Sequence, residues 1–145
     1  MYLNLVNQFN IIMTSKSKKI LTEISAGELL DKISILEIKL KKINDKNSLL
    51  EISKEYNFLK ETKTLNIILS KDLENLSDQL KKTNIELWNI EDEIRVCEKN
   101  KEFGEKFIKL ARSVYSTNDK RSKIKAEINK ILGSNIKEIK QYVDY

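Results

Sequence analysis

The sequence predicts an all-α protein built from two antiparallel helical hairpins. Its 145 residues contain no proline and only three glycines, so few positions oppose long helices. Apolar residues recur at alternating spacings of three and four, which is the pattern of a coiled-coil-like seam. We therefore expect a short hairpin over residues 25–62, packed against a long hairpin over residues 70–132 in an elongated bundle.

The short hairpin starts with a capping-box pattern, Ser25-Ala-Gly-Glu28. In such a box Ser25 accepts from the amide of Glu28, and Glu28 reaches back to the amide of Ser25. A turn follows at residues 44–47, and a reversal at position 46 places equidistant apolar residues opposite one another without any adjustment of register. These pairs are Ile43 with Leu49, Leu40 with Ile52, Leu36 with Tyr56, and Ile33 with Leu59.

The long hairpin is predicted by two further seams that change phase near Gly104. A reversal at Glu102 aligns the seam that ends at Cys97 with the seam that begins at Phe107. Residues 71–102 carry six basic and nine acidic side chains, whereas residues 103–145 carry ten and five, so an acidic helix would lie along a basic one. Between the hairpins, residues 62–70 lose the periodicity and predict an irregular connection. Residues 136–145 predict a final helical turn or two.

The composition also limits the chemistry of any site. No histidine is present and Cys97 is the single cysteine, which excludes histidine-based metal sites, a cysteine zinc cage and an internal disulfide. We therefore expect no cofactor and no metal. Two helical enzyme classes stay open as alternatives, a magnesium-dependent pyrophosphohydrolase using carboxylates and a chorismate-mutase-like site using cationic side chains. Their generic spacings arise easily by chance in a chain with 22 acidic residues.

The basic excess and the apolar pattern indicate which partners to expect. Of the 27 basic residues only Arg95, Arg112 and Arg121 are arginine, and no basic groove interleaved with aromatic residues appears, which argues against nucleic acid. No apolar run approaches the length of a membrane span, and residues 1–24 do not have the order of a secretory signal. We expect a cytoplasmic protein with an N-terminal extension over 1–24, Met13 as an alternative start, and one helical domain over 25–145.

One layer of the long seam is polar, because Thr83 would face Arg121. A buried arginine needs an acceptor, and the candidates are Asn84, Glu86 or a carboxylate of the first hairpin such as Glu37. The layer could fix the register or form an anion site where the hairpins meet, or Arg121 could turn out to solvent. The same register brings Glu91 close to Arg112, which predicts an ion pair that flanks the seam. Trp88 and Arg95 lie beside this pair on the third helix.

Three segments together resemble a known family. They are residues 25–39 (SAGELLDKISILEIK), 87–95 (LWNIEDEIR) and 107–121 (FIKLARSVYSTNDKR), followed by Ile128-Asn129 and Gly133-Ser134. They are similar to an uncharacterised family of small helical proteins from bacteria and phages. Some members of that family are encoded beside, or fused to, sugar transferases of surface-polysaccharide assembly.

The resemblance implies a set of polar site residues. Arg112 and Arg121 would clamp an anionic or sugar-phosphate group, with Glu91 or Asp92 orienting them. The full set of matching positions is Asp31, Lys32, Glu37, Trp88, Glu91, Asp92, Arg95, Arg112, Asn118, Asp119 and Arg121.

The function expected from these observations is a non-catalytic interaction or accessory module tied to carbohydrate or surface-glycan biosynthesis. A protein partner or self-association is expected, including a dimer through exposed hairpin surface. The alternative is a small ligand-binding protein or enzyme that acts on an anionic sugar phosphate or nucleotide through the Arg-carboxylate cluster. The sequence therefore does not decide whether the protein is an enzyme, and it favours a non-catalytic role.

Overall fold

A computed structural model describes residues 20–141 and residue 143, and it confirms the all-α class. Its helices are α1 (Ala26–Lys42), α2 (Lys46–Asn66), α3 (Lys71–Asn100) and α4 (Glu105–Ile131). No β-strand occurs among the described residues. Most of the expected N-terminal extension, including the alternative start at Met13, lies outside them.

Helix α1 is the element that joins the two hairpins. It contacts α2, α3 and α4, whereas α2 contacts α1 alone among the described helices. The main apolar cluster is formed by α1, α3 and α4, and α2 contributes no buried residue. Among the described helices, α2 is thus held to the long hairpin through α1, and Ile67, directly after α2, packs against the main apolar cluster. The buried cluster consists of Leu30, Leu73, Leu80, Ile124 and Ile128.

Both predicted reversals are confirmed. Asp45 caps α2 by accepting from the amide of Ser48 at 2.8 Å, and Lys101 ends α3 in the left-handed conformation at φ 60°. At 1.5 Å per residue the 30 residues of α3 span about 45 Å, against about 26 Å for the 17 residues of α1. The end of α1 reaches Asn89, which accepts from Lys42 Nζ at 3.5 Å. The tip of the long hairpin therefore extends beyond α1.

The charge match between α3 and α4 is also present. Lys120 Nζ lies 3.9 Å from a carboxylate oxygen of Glu86, and Lys106 Nζ lies 3.3 Å from one of Glu93. All four side chains are more than half exposed, so each pair contributes only about 0–1 kcal/mol. The pairs agree with the predicted antiparallel register, while the buried apolar seam supplies most of the stability.

The expected irregular connection is shorter than predicted, because α2 continues to Asn66. The side chains of Thr62, Thr64 and Asn66 in its last turns each donate a hydrogen bond to the backbone carbonyl four residues earlier. Thr62 Oγ1 donates to the carbonyl of Phe58 at 2.9 Å, and Asn66 Nδ2 donates to that of Thr62 at 2.8 Å. Since α2 packs on α1 alone among the described helices, its last turns need no apolar seam, which is why periodicity failed to find them.

The prediction of a final helical turn is wrong for the described residues 136–141, which are not helical. The chain after α4 instead crosses back toward the start of α1. Ser134 Oγ accepts from the amide of Ala26 at 3.1 Å, and Glu138 lies 3.3 Å from Lys125 Nζ. These tertiary contacts replace the local hydrogen bonds of another helical turn.

The N-terminus of α1 is held tightly against α4. The amide of Gly27 donates to Asn129 Oδ1 at 2.7 Å, and the amide of Glu28 donates to Ser25 Oγ at 3.2 Å, as half of the capping box predicted. The second hydrogen bond of the box, from the amide of Ser25 to the carboxylate of Glu28, is replaced, because this carboxylate pairs with Lys125 Nζ at 2.6 Å. The orphan amides of the first turn are thus satisfied mainly by α4 and the residues that follow it.

Replacement of Gly27 by alanine should destabilise the protein by about 2–3 kcal/mol, because a core position without free space is overpacked. An added Cβ would lie 2.6 Å from the backbone oxygen of Lys125 and 2.9 Å from Asn129 Oδ1. Urea unfolding followed by circular dichroism measures the loss. The control is Gly104→Ser at the open N-cap of α4, which should be neutral or slightly stabilising. Equal stability of Gly27→Ala and the wild type would contradict the close helix contact.

Candidate functional site

A solvent-open groove of about 330 Å³ lies where α1 meets the long hairpin. One wall is apolar, with Ile35 and Ile38 from α1 and Leu87 from α3. The other residues are polar or aromatic, and they come mainly from one face of α3. The complete lining is Ile35, Ile38, Asn84, Leu87, Trp88, Glu91, Asp92, Arg95, Asn118 and Arg121.

The inner end of the groove is built on a buried ion pair. Asp31, with a side chain 1% exposed, receives two hydrogen bonds from Arg121, at 2.9 Å from Nε and 2.5 Å from Nη2. Asn84 Nδ2 donates to the same carboxylate at 2.9 Å and to Ser34 Oγ at 2.7 Å. Asp31 therefore connects α1 to both α3 and α4.

Arg121 is the point at which this buried network meets the groove. The hydrogen bonds to Asp31 raise the pKa of its guanidinium above the ordinary value, against the opposing effect of burial. Nη1 also donates to Asn118 Oδ1 at 3.4 Å. Its side chain is 26% exposed, so part of it faces solvent while its charge is neutralised from behind by Asp31.

A second ion-pair cluster lies one turn further along α4, around Lys125, which approaches the same carboxylate oxygen of Asp31 as Arg121. Burial alone would lower the pKa of this ammonium. The hydrogen bonds to Glu28 and Glu138 and the charge of Asp31 outweigh that effect, so the pKa of Lys125 lies above its ordinary value. Lys125 is 11% exposed and lies 4.0 Å from Asp31 Oδ2. It ties the start of α1 and the chain after α4 to one point on α4.

The structure brings together more than half of the residues that the sequence singled out. Six line the groove, and Asp31 lies directly behind Arg121. Lys32 instead pairs with Glu55 on the α2 side, and Glu37 pairs with Lys81 and accepts from Tyr56. Arg112 is exposed on α4 and, like Asp119, lies outside the lining. The six lining residues are Trp88, Glu91, Asp92, Arg95, Asn118 and Arg121.

One expected ion pair forms with a different residue of the same hairpin, and a second is wrong. The carboxylate that holds Arg121 belongs to the first hairpin, as one alternative proposed, but it is Asp31 and not Glu37. Glu91 was expected beside Arg112 but pairs with Arg95 at 3.2 Å, one turn along its own helix. A pair within one helix needs no exact register between helices, so it forms more readily than the pair across the hairpin.

Sequence reasoning missed the apolar wall and the place of Asn84 in the lining. Asn84 follows the seam residue Thr83, and its spacing to Trp88, Glu91 and Arg95 is again four, three and four. This second stripe on α3 was a usable signal for a polar face. Ile35 and Ile38 could not be recognised, because the rotation of α1 against the long hairpin is not encoded in either seam.

The groove has no excess positive charge. Its lining contains Arg95 and Arg121 against Glu91 and Asp92, and Asp31 adds a further negative charge behind Arg121. In the described part of the chain, no group of three or more Cys, Asp or Glu side chains is placed to hold a metal ion. The groove is therefore suited to a ligand that makes hydrogen bonds beside an aromatic ring, and it lacks the excess of cationic side chains that would clamp an anion.

Fold and groove together define a small helical bundle with a polar groove that contains an aromatic ring. No helix within the described residues is long and apolar enough to cross a membrane. A sequence model described as "Family of unknown function (DUF6165)" matches residues 20–144, and the chain belongs to this family. No curated protein and no solved structure matches the chain.

Two asparagines at the groove should respond differently to the same substitution. Asn84→Asp would replace a donor to Asp31 by a second carboxylate, and we expect a loss of about 3 kcal/mol from the uncompensated buried charge. Asn118→Asp would place a carboxylate beside Arg121 Nη1 and should change stability by less than about 1 kcal/mol. Urea unfolding at neutral pH measures both. Similar losses in the two variants would contradict the assigned hydrogen bonds.

The ion pair between Glu138 and Lys125 predicts a pH-dependent contribution to stability. Burial raises the pKa of Glu138, but the hydrogen bond and charge of Lys125, together with Lys140, lower it below the ordinary 4.5. A pKa lowered by folding adds stability above the unfolded-state pKa, and this is lost as the pH falls through the folded-state value.

Glu138→Gln should therefore be less stable than the wild type at neutral pH, and the difference should shrink below pH 4.5 and disappear in stronger acid. Urea midpoints measured across this range provide the comparison. The matched control is Glu127→Gln, an exposed position on α4 for which no such trend is expected. A pH-independent difference for Glu138→Gln would exclude the ion pair as its cause.

Proposed function

We propose that this protein is a non-catalytic binding module that holds a carbohydrate unit in the groove between α1 and the long hairpin. The observation that carries the proposal is the placement of Trp88 beside the planar polar side chains of Asp92, Arg95 and Asn118. A sugar ring presents a C–H face that stacks on an aromatic ring, and its hydroxyls both donate and accept hydrogen bonds. An indole flanked by carboxylate, guanidinium and amide groups suits both properties.

The charge of the groove favours a neutral sugar over an anionic one. Arg121 already bonds to Asp31 in two places, and Arg95 is paired with Glu91. A phosphate would have to compete with these carboxylates, because the lining offers no net positive charge. The alternative ligand, a sugar phosphate or nucleotide clamped by arginines, requires Glu91 to release Arg95.

A binding role is also more consistent with the groups present than a catalytic one. The chain has no histidine, and Cys97 is 1% exposed in the seam of the long hairpin. Glu91 is engaged with Arg95 instead of standing alone as a base. The proposal further includes a cytoplasmic location and a protein partner in surface-glycan assembly, which the resemblance of the sequence implies.

Trp88 is the only tryptophan, so its intrinsic fluorescence reports on the groove directly. We expect a saturable change when the full-length protein is titrated with a panel of neutral monosaccharides, namely glucose, galactose and N-acetylglucosamine. Arg95→Ala should weaken the best of these by about tenfold, because a charged hydrogen-bond donor at the edge of the groove is lost. The matched control is Arg112→Ala, an exposed arginine on α4 outside the lining, which should leave the affinity unchanged.

The same titration separates the alternatives. Saturation with the 1-phosphates of these sugars but not with the neutral forms would replace the neutral ligand by an anionic one. Equal weakening by Arg95→Ala and Arg112→Ala would contradict binding in the groove. No saturable response to any neutral sugar or sugar phosphate would contradict carbohydrate recognition as a whole.

A further inference from the structure

Helix α2 presents apolar residues on two opposite faces. Leu49, Ile52, Tyr56 and Leu59 lie on the half-buried face toward α1, as the hairpin register predicts. At 100° per residue, a second set lies within an arc of about 80° that is centred opposite the α1 face. Two of its members, Lys54 and Phe58, also border a groove with Leu36 and Lys39 of α1. We call this set the outer stripe, and it consists of Leu50, Lys54, Phe58, Glu61 and Leu65.

The two leucines at the ends of the outer stripe are largely exposed. Leu50 is 68% exposed and Leu65 is 76% exposed, and apolar side chains that recur on one exposed helix face are a feature of interaction surfaces. Helix α2 contacts only α1 among the described helices, so no other described helix covers the stripe. Lys54 and Glu61 have no ion-pair partner among the residues that the structure describes.

The order of side chains in the outer stripe is self-complementary. A two-fold axis that crosses α2 between Asn57 and Phe58 brings Leu50 opposite the second copy's Leu65, and Lys54 opposite its Glu61. The same axis repeats both contacts on the other side, as an interface formed by identical patches requires. Binding of a different partner protein would not require the residues of the stripe to follow this symmetric order of apolar, basic, acidic and apolar.

We propose that two copies of this protein associate through their α2 helices, packed antiparallel along the outer stripe. The Leu50–Leu65 contacts at each end supply apolar burial, and the Lys54–Glu61 pairs between them fix the antiparallel register. One helix face per copy makes a small interface, so the dimer forms reversibly and its population depends on protein concentration. The groove lies at the junction of α1, α3 and α4, and the dimer therefore presents two grooves.

Charge reversal tests this interface without touching the core, since both charged positions are exposed. Sedimentation velocity of the full chain over a range of concentrations should show a monomer–dimer equilibrium. Lys54→Glu and Glu61→Lys should each weaken the dimer by at least about tenfold, because each places like charges opposite each other twice. The double variant K54E/E61K should restore wild-type dimerisation. The matched control is Lys123→Glu, an exposed lysine on α4, which should have no effect.

Mixing the two single variants gives a stricter test. In a mixed pair, the carboxylate introduced by K54E would face the ammonium introduced by E61K, so a heterodimer should form where neither variant dimerises alone. Circular dichroism confirms that each variant is folded. A wild type that stays monomeric at every concentration, single variants that dimerise normally, or a mixture that does not associate would each overturn the proposal.

Discussion

The contact between Asp31 and Arg121 is the interaction on which the arrangement of this protein depends. Asp31 is buried at the face of α1 that meets the long hairpin, and a carboxylate there is costly unless charge and hydrogen bonds compensate it. Arg121 supplies two hydrogen bonds and Asn84 a third, from two different helices. Every buried side-chain nitrogen or oxygen in the described part of the chain has a partner, so this network is complete.

The position of α1 follows from that network and from the close contact at Gly27. Together they fix α1 at two points, near its first residue and one turn further on. Among the described helices, α2 then packs against α1 alone. One buried polar network thus sets the rotation of α1, the shape of the groove and the direction in which α2 faces solvent. An apolar seam alone would allow α1 to slide or rotate, and polar contacts at defined positions remove that freedom.

The elements of the fold could be predicted from sequence because each hairpin encodes its own register. The seams of α3 and α4 placed the reversal near Glu102, and the structure ends α3 at Asn100. The contact between the hairpins could not be predicted in the same way. Glu37 and Asp31 lie on the same helix, and choosing between them requires the rotation of α1, which is set by the close approach at Gly27 and by burial of the aspartate.

The candidate site shows the same division. Trp88, Glu91 and Arg95 recur on one face of α3, so a sequence pattern could bring them together. Arg112 was expected beside them because it and Glu91 are nearly the same number of residues from the turn at Glu102. A residue at the matching height along the hairpin can still point away from the groove. Periodicity gives the height of a residue along a bundle with greater certainty than its direction around the helix.

The most direct test of this account is a double-mutant cycle on Asp31 and Arg121, using the apolar replacements Asp31→Leu and Arg121→Met, with the free energy of unfolding measured for all four proteins. Each single variant leaves one charge buried without its partner and should lose about 3 kcal/mol, whereas the double variant should recover most of that loss. A coupling energy of about 2 kcal/mol or more is therefore predicted. Losses that simply add in the double variant would contradict the central role of this ion pair.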